Sequence, residues 1–200
     1  MPNEHYFSAE PQGEFKPRQI EVTLAGRKVQ VLTAGSVFSP DHVDTGTKVL
    51  LENIAYAPDE GDILDIGCGW GPISLALAIA NPNVTVWAMD VNERALELTR
   101  RNAAALGLTN IKTVTADEIP NDVQFTGIWS NPPIRVGKEV LHGLMKTWIP
   151  RLVVGGDAFL VVQKNLGADS LQRWIDERFD LHVDRIDTAK SFRVIRVVKP

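Results

Sequence analysis

The sequence contains a single cysteine, Cys68, and no long apolar run. One cysteine cannot form an internal disulfide, so the chain does not fit the disulfide-stapled secreted domains. A membrane-spanning helix needs about 20 consecutive apolar residues, and no stretch approaches that length. The first residues also lack the basic flank and apolar run of a secretory signal. We therefore expect a cytoplasmic monomer that does not associate with membranes.

The chain as a whole has fewer basic than acidic residues. The 21 Lys and Arg are outnumbered by 25 Asp and Glu, and the net charge of −4 argues against non-specific coating of nucleic acid. The balance is uneven, because residues 1–130 carry 9 basic and 17 acidic side chains whereas residues 131–200 carry 12 and 8. This asymmetry predicts a basic, substrate-facing second half, with scattered solvated charge as an equally weighted alternative.

What the sequence does have is a regular alternation of strands and helices. Residues 20–33 alternate around Ala25-Gly26 and predict a β-hairpin. Further strands are predicted at 63–66, 84–89, 111–115, 125–130, 158–162, 181–186 and 192–198, and helices at 72–80, 92–106, 137–153 and 170–178. This order predicts an α/β fold with a mostly parallel seven-stranded sheet and an antiparallel last strand. We expect the hairpin-containing extension, 1–48, to pack on a catalytic domain, 49–200.

The strand at 63–66 ends in a glycine-rich turn, Asp65-Ile66-Gly67-Cys68-Gly69-Trp70-Gly71. Glycines at alternate positions let the backbone turn sharply and approach a ligand closely. The dinucleotide pattern G-x-G-x-x-G fails, because Pro72 stands three residues after Gly69. The D-x-G-x-G-x-G spacing instead resembles the S-adenosylmethionine (SAM) loop of Rossmann-like, class I methyltransferases. We therefore predict SAM as cofactor, S-adenosylhomocysteine as product and no metal, with Cys68 as a small filler rather than a nucleophile.

Acidic residues stand at the ends of the next two strands as well. Asp90 closes the second, where a carboxylate can accept hydrogen bonds from both ribose hydroxyls, and Asp117 follows the third, where it can accept from the adenine amine. The carboxyl ends of parallel strands face one crevice. The alternative for any single acid is that it caps the following helix. The predicted cofactor-binding residues are Phe38, Thr47, Asp65, Gly67, Cys68, Gly69, Gly71, Asp90, Val91, Asp117, Glu118 and Asn131.

The fourth strand ends in a second motif, Asn131-Pro132-Pro133-Ile134. Two consecutive prolines fix φ and disfavour helix at the residue before each, which freezes a turn at the mouth of the crevice. The side-chain carbonyl of Asn131 and the backbone carbonyl of Pro132 can together accept the two N–H hydrogens of an exocyclic amine. Such positioning favours a pyramidal nitrogen aimed at the sulfonium methyl without a tuned base. We predict Asn131, Pro132 and Pro133 as the catalytic residues.

The segment at 131–142 resembles the guanine-N2 methyltransferases of small-subunit ribosomal RNA, in a short single-domain form. The likeness extends to residues 5–8, 35–39, 44–47, 163–164 and 167–171. It implies methyl transfer to guanine N2, with ribosomal RNA or the assembling small subunit as partner. It also implies SAM contacts at Asp65, Gly67, Gly69, Asp90 and Asp117, amine contacts at Asn131 and Pro132, and closure of Phe38 and residues 44–47 over the cofactor.

Two departures from that family bear on the substrate. Ile134 stands where many amine methyltransferases have a Tyr or Phe that stacks on a flipped base, and the sequence shows no counterpart of the extra N-terminal domain of the longer bacterial enzymes. The predicted substrate-binding residues are Phe38, Ile134, Arg135 and Lys138, the last two either meeting phosphate or forming a solvated turn. The alternatives are a protein glutamine-N5 methyltransferase, against which Ile134 counts, a small-molecule methyltransferase, and a non-catalytic SAM- or RNA-binding subunit.

Overall fold

The computed structural model describes residues 14–200, so the predicted motif at 5–8 lies outside the described residues. The strands are β1 (Arg18–Leu24), β2 (Arg27–Thr33), β3 (Gly61–Ile66), β4 (Val84–Met89), β5 (Ile111–Val114), β6 (Phe125–Ser130), β7 (Leu152–Gln163), β8 (His182–Ala189) and β9 (Phe192–Val198). The helices are α1 (Thr45–Leu51), α2 (Pro72–Ala80), α3 (Glu93–Ala105), α4 (Lys138–Trp148) and α5 (Ala168–Phe179). No helix in this part of the chain is both long and apolar enough to span a bilayer.

Strands β3 to β9 form one seven-stranded sheet in the order β5-β4-β3-β6-β7-β9-β8. The first five in that order pair in parallel, and β9 runs antiparallel to both of its neighbours. The predicted fold, a mostly parallel sheet with an antiparallel last strand and an N-terminal hairpin, is confirmed. The chain moves outward from β3 to β5 and then returns to β6, so the strand order reverses between β3 and β6. Ligands of such sheets bind at that reversal, beyond the carboxyl ends of the strands.

The hairpin of β1 and β2 is joined by the two residues Ala25 and Gly26, both with positive φ, 46° and 75°. This combination is the type I′ turn, whose twist suits a two-residue connection. The hairpin is fixed to α3 by Asn102, whose side chain donates to the Leu32 carbonyl at 2.9 Å and accepts from the Leu32 amide at 2.6 Å. The division at residue 48 stays a prediction.

Local signals explain the helices that flank the site. Pro72 opens α2 at the position where a missing N–H costs nothing, and the run Ile73–Ala78 is buried. Asn92 caps α3 by accepting from the Arg94 amide at 2.9 Å, and Gly107 follows that helix with φ of 68°. Helices α2 and α3 contact each other on one face of the sheet, and α4 and α5 pack on the other. The central strands between these two layers are apolar and buried.

The predicted boundaries are wrong around Gly155 and Gly156. Helix α4 ends at Trp148 rather than at residue 153, because Pro150 cannot continue it. Strand β7 begins at Leu152 rather than at residue 158 and passes through both glycines. Gly155 has φ of 81° and donates to the Lys199 carbonyl at 2.7 Å, where the register of β7 against β6 shifts. The glycine pair therefore forms a bulge within the strand rather than a loop before it.

Candidate active site

A cleft opens where the strand order reverses, beyond the carboxyl ends of β3, β4 and β6. It brings together the glycine turn after β3, the acid after β4 and the proline turn after β6, and segments before α1 and after β7 close its sides. The lining residues are Val37, Phe38, Asp44, Gly67, Gly69, Asp90, Asn92, Ala95, Asn131, Pro132, Pro133, Ile134, Val161, Gln163, Leu166 and Phe192. The sequence interpretation did not assign Asn92, Gln163 or Phe192 to the site.

The glycine turn forms one wall of the cleft. Gly67 and Gly69 have φ of 76° and 59°, and no atom beyond their chain neighbours lies within 4 Å of where a Cβ would stand. The turn is held against β4 by the amides of Gly67 and Cys68, which donate to the Met89 carbonyl at 2.8 and 3.0 Å. The backbone here is both fixed and open, as close approach of a ligand requires.

At Gly71, unlike at Gly67 and Gly69, a side chain is excluded by a neighbouring helix. The φ of Gly71 is 95°, and a Cβ there would lie 2.9 Å from the Thr99 hydroxyl oxygen on α3. The residue therefore allows α2 to begin in close contact with α3. It does not line the cleft, so its predicted cofactor contact stays a prediction.

Asp90 faces the cleft with both carboxylate oxygens already oriented. One oxygen accepts from the Gly69 amide at 2.9 Å, and the other accepts from the Asn92 amide at 2.9 Å. Burial raises the pKa of Asp90, and the backbone donors oppose that shift. Because each oxygen of an ionised carboxylate accepts more than one hydrogen bond, Asp90 retains acceptor capacity toward the cleft.

Asp65 is brought near the glycine turn but not into the cleft. Its side chain is fully buried, and one oxygen accepts from both the amide and the hydroxyl of Ser74, at 3.0 and 2.6 Å. Ser74 lies in the first turn of α2, so the geometry is that of an acid supporting the following helix. Burial raises the pKa of Asp65 to about 7, with the Ser74 hydrogen bonds opposing the shift.

This raised pKa predicts a pH dependence of stability. The unfolded carboxyl loses its proton near its ordinary pKa of 3.8, whereas the folded one holds it until about pH 7. Between those values the folded state binds more protons, so its free energy of unfolding falls as pH rises. Asp65→Asn should remove a fall of order 2 kcal/mol between pH 5 and pH 8 in urea unfolding. Asp62→Asn, on the same strand, is the matched control, and equal pH profiles for Asp65→Asn and wild type would contradict the assignment.

Asp117, Glu118 and Val91 do not line the cleft. Asp117 is exposed and accepts from the Thr115 hydroxyl at 2.7 Å, which lowers its pKa. Glu118 accepts from the Thr115 amide at 2.7 Å and completes a capping box around the short turn after β5. Val91 is 51% exposed beside Asp90. Cofactor contacts by these three residues stay predictions.

Asn131 is held by two residues of the segment before and within α1. Its amide nitrogen donates to a carboxylate oxygen of Asp44 at 3.0 Å and to the hydroxyl oxygen of Thr47 at 3.0 Å. The same Asp44 oxygen accepts from the Gly46 amide at 2.8 Å and so caps α1. Both amide hydrogens of Asn131 are thereby used, and its carbonyl oxygen is the group left for the cleft. The sequence interpretation placed residues 44–47 over the cofactor, with Thr47 as a cofactor-binding residue, and did not predict their contact with Asn131.

The two prolines form a tight turn after Asn131. Pro133 has φ of −73° and ψ of 77°, and the Ile134 amide donates to the Pro132 carbonyl at 2.8 Å. This is an inverse γ-turn. One lone pair of the Pro132 carbonyl is therefore occupied within the turn, and the second remains as the acceptor that the sequence interpretation assigned to it.

Apolar side chains border the open side of the cleft. Phe38 and Leu166 are each 42% exposed, and Ile134 is partly buried between the proline turn and α4. Phe38 also lines a small recess with Thr47 and Cys68, behind the glycine turn. These side chains suit contact with a flat, unstacked ring.

Ion pairs engage three of the basic side chains in the second half of the chain. Arg185 and Arg193 both pair with Asp169, and Arg196 pairs with Asp157. Arg193 is 8% exposed, so it is not a solvated surface charge. Lys138 is exposed at the start of α4, outside the cleft lining, and the side chain of Arg135 is not among the described groups.

Cys68 is buried behind the glycine turn, with its sulfur 3.7 Å from the Thr99 hydroxyl oxygen. Burial raises the pKa of its thiol well above the ordinary value, and the charges of Asp90 and Asp65 add to the shift. The thiol therefore stays neutral, which is unsuited to nucleophilic attack. Within the described part of the chain, no group of three or more His, Cys, Asp and Glu is placed to hold a metal ion.

The cleft fits SAM on the chemistry of its donors and acceptors. The open glycine wall leaves room for the amino-acid tail, the carboxylate of Asp90 suits the ribose hydroxyls, and Asn131 presents its amide oxygen to the same cleft. A sheet with this order and this cleft defines a SAM-dependent methyltransferase, and SAM is its cofactor.

Comparison with known proteins gives the family. Residues 28–196 match the family described as the methyltransferase small domain. The uncharacterized protein YbxB of Bacillus subtilis is 34% identical over 98% of this chain and 99% of its own length. Ribosomal RNA small subunit methyltransferase C of Salmonella typhi is 31% identical over 94% of this chain and 54% of its own length. The chain belongs to the methyltransferase small domain family, and the resemblance to small-subunit ribosomal RNA methyltransferases predicted from the sequence is confirmed.

A solved structure supports the same fold. The T. thermophilus 16S rRNA N2 methyltransferase RsmC, in complex with AdoMet and guanosine, superimposes with a TM-score of 0.81 at 22% identity. The match covers 96% of this chain and 52% of that chain. The chain thus spans about half the length of the RsmC proteins that it resembles.

Proposed function

We propose that this protein transfers the methyl group of SAM to an exocyclic amine, that of guanine N2 in small-subunit ribosomal RNA. The observation that carries the proposal is the orientation of Asn131. Both of its amide hydrogens are bound by Asp44 and Thr47, which leaves the carbonyl oxygen as an acceptor in the cleft. The RNA class follows from the relatives named as ribosomal RNA small subunit methyltransferase C, which align with most of the chain.

The residues of the chain do the work of positioning. SAM supplies an electrophilic methyl group on its sulfonium when it is bound. Asn131 and the free lone pair of the Pro132 carbonyl accept the two amine hydrogens and turn the nitrogen lone pair into the cleft. Such fixed acceptors act without reorganising at the moment of reaction. The γ-turn at Pro133 and the buried β6 below it hold this geometry rigid.

A guanine must leave its stack, or be single-stranded, to reach Asn131. The partly exposed ring of Phe38 and the side chain of Ile134 border the entrance that such a base would use. The flat, apolar faces of a base fit this border better than an extended peptide amide does. This supports a nucleobase rather than a protein glutamine as the acceptor.

The test is nucleoside mass spectrometry of ribosomal RNA from cells lacking this protein, before and after treatment with the purified protein and SAM. We expect N2-methylguanosine to be missing at one small-subunit site and to be restored by the wild-type protein. Unchanged RNA methylation in both samples would contradict the proposal. Methyl transfer to a protein glutamine in the same extract would replace it with the protein-substrate function.

Contact with RNA phosphate is the basis of a further prediction. Arg135 and Lys138 flank the proline turn, where a phosphate contact fixes register without reading sequence. Replacing both with alanine should weaken RNA binding across sequences and lower the slope of log affinity against log salt by about 0.7 per lost single-strand contact. Lys146→Ala, exposed in the last turn of α4, is the matched control. Parallel slopes for the double variant and wild type would remove these residues from the RNA site.

A further inference from the structure

We propose that Asp44 is a positioning residue that sets which way the side-chain amide of Asn131 faces, and that this contact makes α1 part of the reaction centre. The inference rests on the amine transfer proposed above and adds a residue to it. Asp44 and Asn131 are 87 positions apart in the chain, yet the Asp44 carboxylate and the Asn131 amide nitrogen lie 3.0 Å apart.

The chemistry of the two groups decides the orientation. An ionised carboxylate only accepts hydrogen bonds, whereas an amide has one accepting and one donating end. The opposite orientation of Asn131 would set its carbonyl oxygen against the Asp44 carboxylate, two acceptors with no hydrogen between them. The donor end must therefore face Asp44, and the accepting end must face the cleft. Thr47, buried in the first turn of α1, adds a second contact of 3.0 Å to the same nitrogen.

The position of Asp44 is itself fixed by the start of α1. Its oxygen that meets Asn131 also accepts from the amides of Gly46 and Thr47, at 2.8 and 3.4 Å. Gly46 lies so close to the cleft residue Phe192 that a Cβ would stand 2.7 Å from its ring. The first turn of α1 is therefore packed against the cleft wall, and it carries the carboxylate to one place. The segment at 44–47 thus completes the reaction centre in addition to covering it.

Two substitutions separate the capping role from the positioning role. Asp44→Ser keeps a good helix cap but has a side chain one bond shorter, which cannot reach Asn131. Asp44→Asn keeps the helix cap and also a side-chain oxygen at the distance that reaches Asn131. We expect Asp44→Ser to lower kcat about 10-fold with KM for SAM within about twofold, and Asp44→Asn to restore most of that loss. Both variants should melt close to the wild-type temperature, because α1 stays capped.

A double-mutant cycle shows whether Asp44 acts through Asn131. In an Asn131→Ala background, the Asp44→Ser change should have no further effect on kcat, since the group that it positions is gone. An equal 10-fold loss in both backgrounds would overturn the inference and give Asp44 a role that is independent of Asn131. Equal activity of Asp44→Ser and wild type would overturn it as well.

NMR of the free protein tests the contact between Asp44 and Asn131 without RNA, and so tests this inference independently of the proposed function. In the free protein, the side-chain NH₂ of Asn131 should give two distinct, slowly exchanging proton signals in a ¹H–¹⁵N spectrum. Asp44→Ser should shift those signals and speed their exchange, whereas Asp44→Asn should do so much less. Unchanged signals in Asp44→Ser would overturn the inference even if wild-type protein methylates RNA. Failure of wild-type protein to methylate RNA, with the expected shifts present, would contradict the proposed function alone.

Discussion

Asn131→Ala should lower the rate of methyl transfer by about 100-fold or more, the loss seen when one preorganised polar contact leaves a reaction centre. Its affinity for SAM should stay within about twofold of wild type, because the proposed role of the Asn131 carbonyl is to bind the acceptor amine rather than the cofactor. The measurements are single-turnover methylation of RNA and calorimetry with SAM. Near-normal turnover by the folded variant would show that amine positioning by Asn131 is not the mechanism.

The variant is expected to fold, because the structure around it retains its own contacts. The Asp44 carboxylate that loses Asn131 still accepts from two backbone amides of α1. Ser130→Ala is the matched control, since it changes the preceding residue and removes a hydrogen bond of 2.7 Å to the Ile66 carbonyl without altering the cleft. A large fall in the methyl-transfer rate of Ser130→Ala would show that the end of β6 tolerates no change. The effect of Asn131→Ala would then be structural.

The fold was predictable from the sequence because its signals are local. The apolar patterns of β3 to β6 and the cap Asn92 at the start of α3 are signals of a few residues, and each of these elements overlaps its predicted range. The first part of β7, residues 152–157, was missed because its local signal points the other way. A pair of glycines such as Gly155 and Gly156 usually marks a turn. Only the pairing with β6 and β9 shows that the backbone continues as a bulged strand.

The site was less predictable, because the direction of a side chain at the end of a strand depends on the loop that follows. Asp65, Asp90 and Asp117 lie at the carboxyl ends of successive strands, yet of these three only Asp90 lines the cleft. Asp65 is turned under α2 by Ser74, and Asp117 is turned outward by the short helical turn at 116–118. The contact between Asp44 and Asn131 joins residues 87 positions apart, and no periodicity in one sequence reports such a pairing.

Asp90 carries the second large expected effect. Asp90→Ala should weaken SAM binding by about 2–3 kcal/mol, or about 30- to 150-fold, through the loss of charge-assisted hydrogen bonds to ribose. The loss has a second source, because the amides of Gly69 and Asn92 lose the acceptors that orient the glycine turn. Asp90→Asn keeps the shape and one accepting oxygen, so it should retain part of the affinity that alanine loses.

Asp117→Ala is the comparison for Asp90→Ala, because it removes an acid at the end of a neighbouring strand that does not line the cleft. Its side chain is exposed and bonded to Thr115, so we expect its loss of SAM affinity to be well below that of Asp90→Ala. Calorimetry with SAM ranks the affinities of the three variants. Thermal unfolding establishes that each variant is folded. Unchanged affinity in a folded Asp90→Ala would remove that residue from the cofactor site. An equal loss in Asp117→Ala would place the adenine at the end of β5, because only a direct contact gives an exposed acid so large an effect.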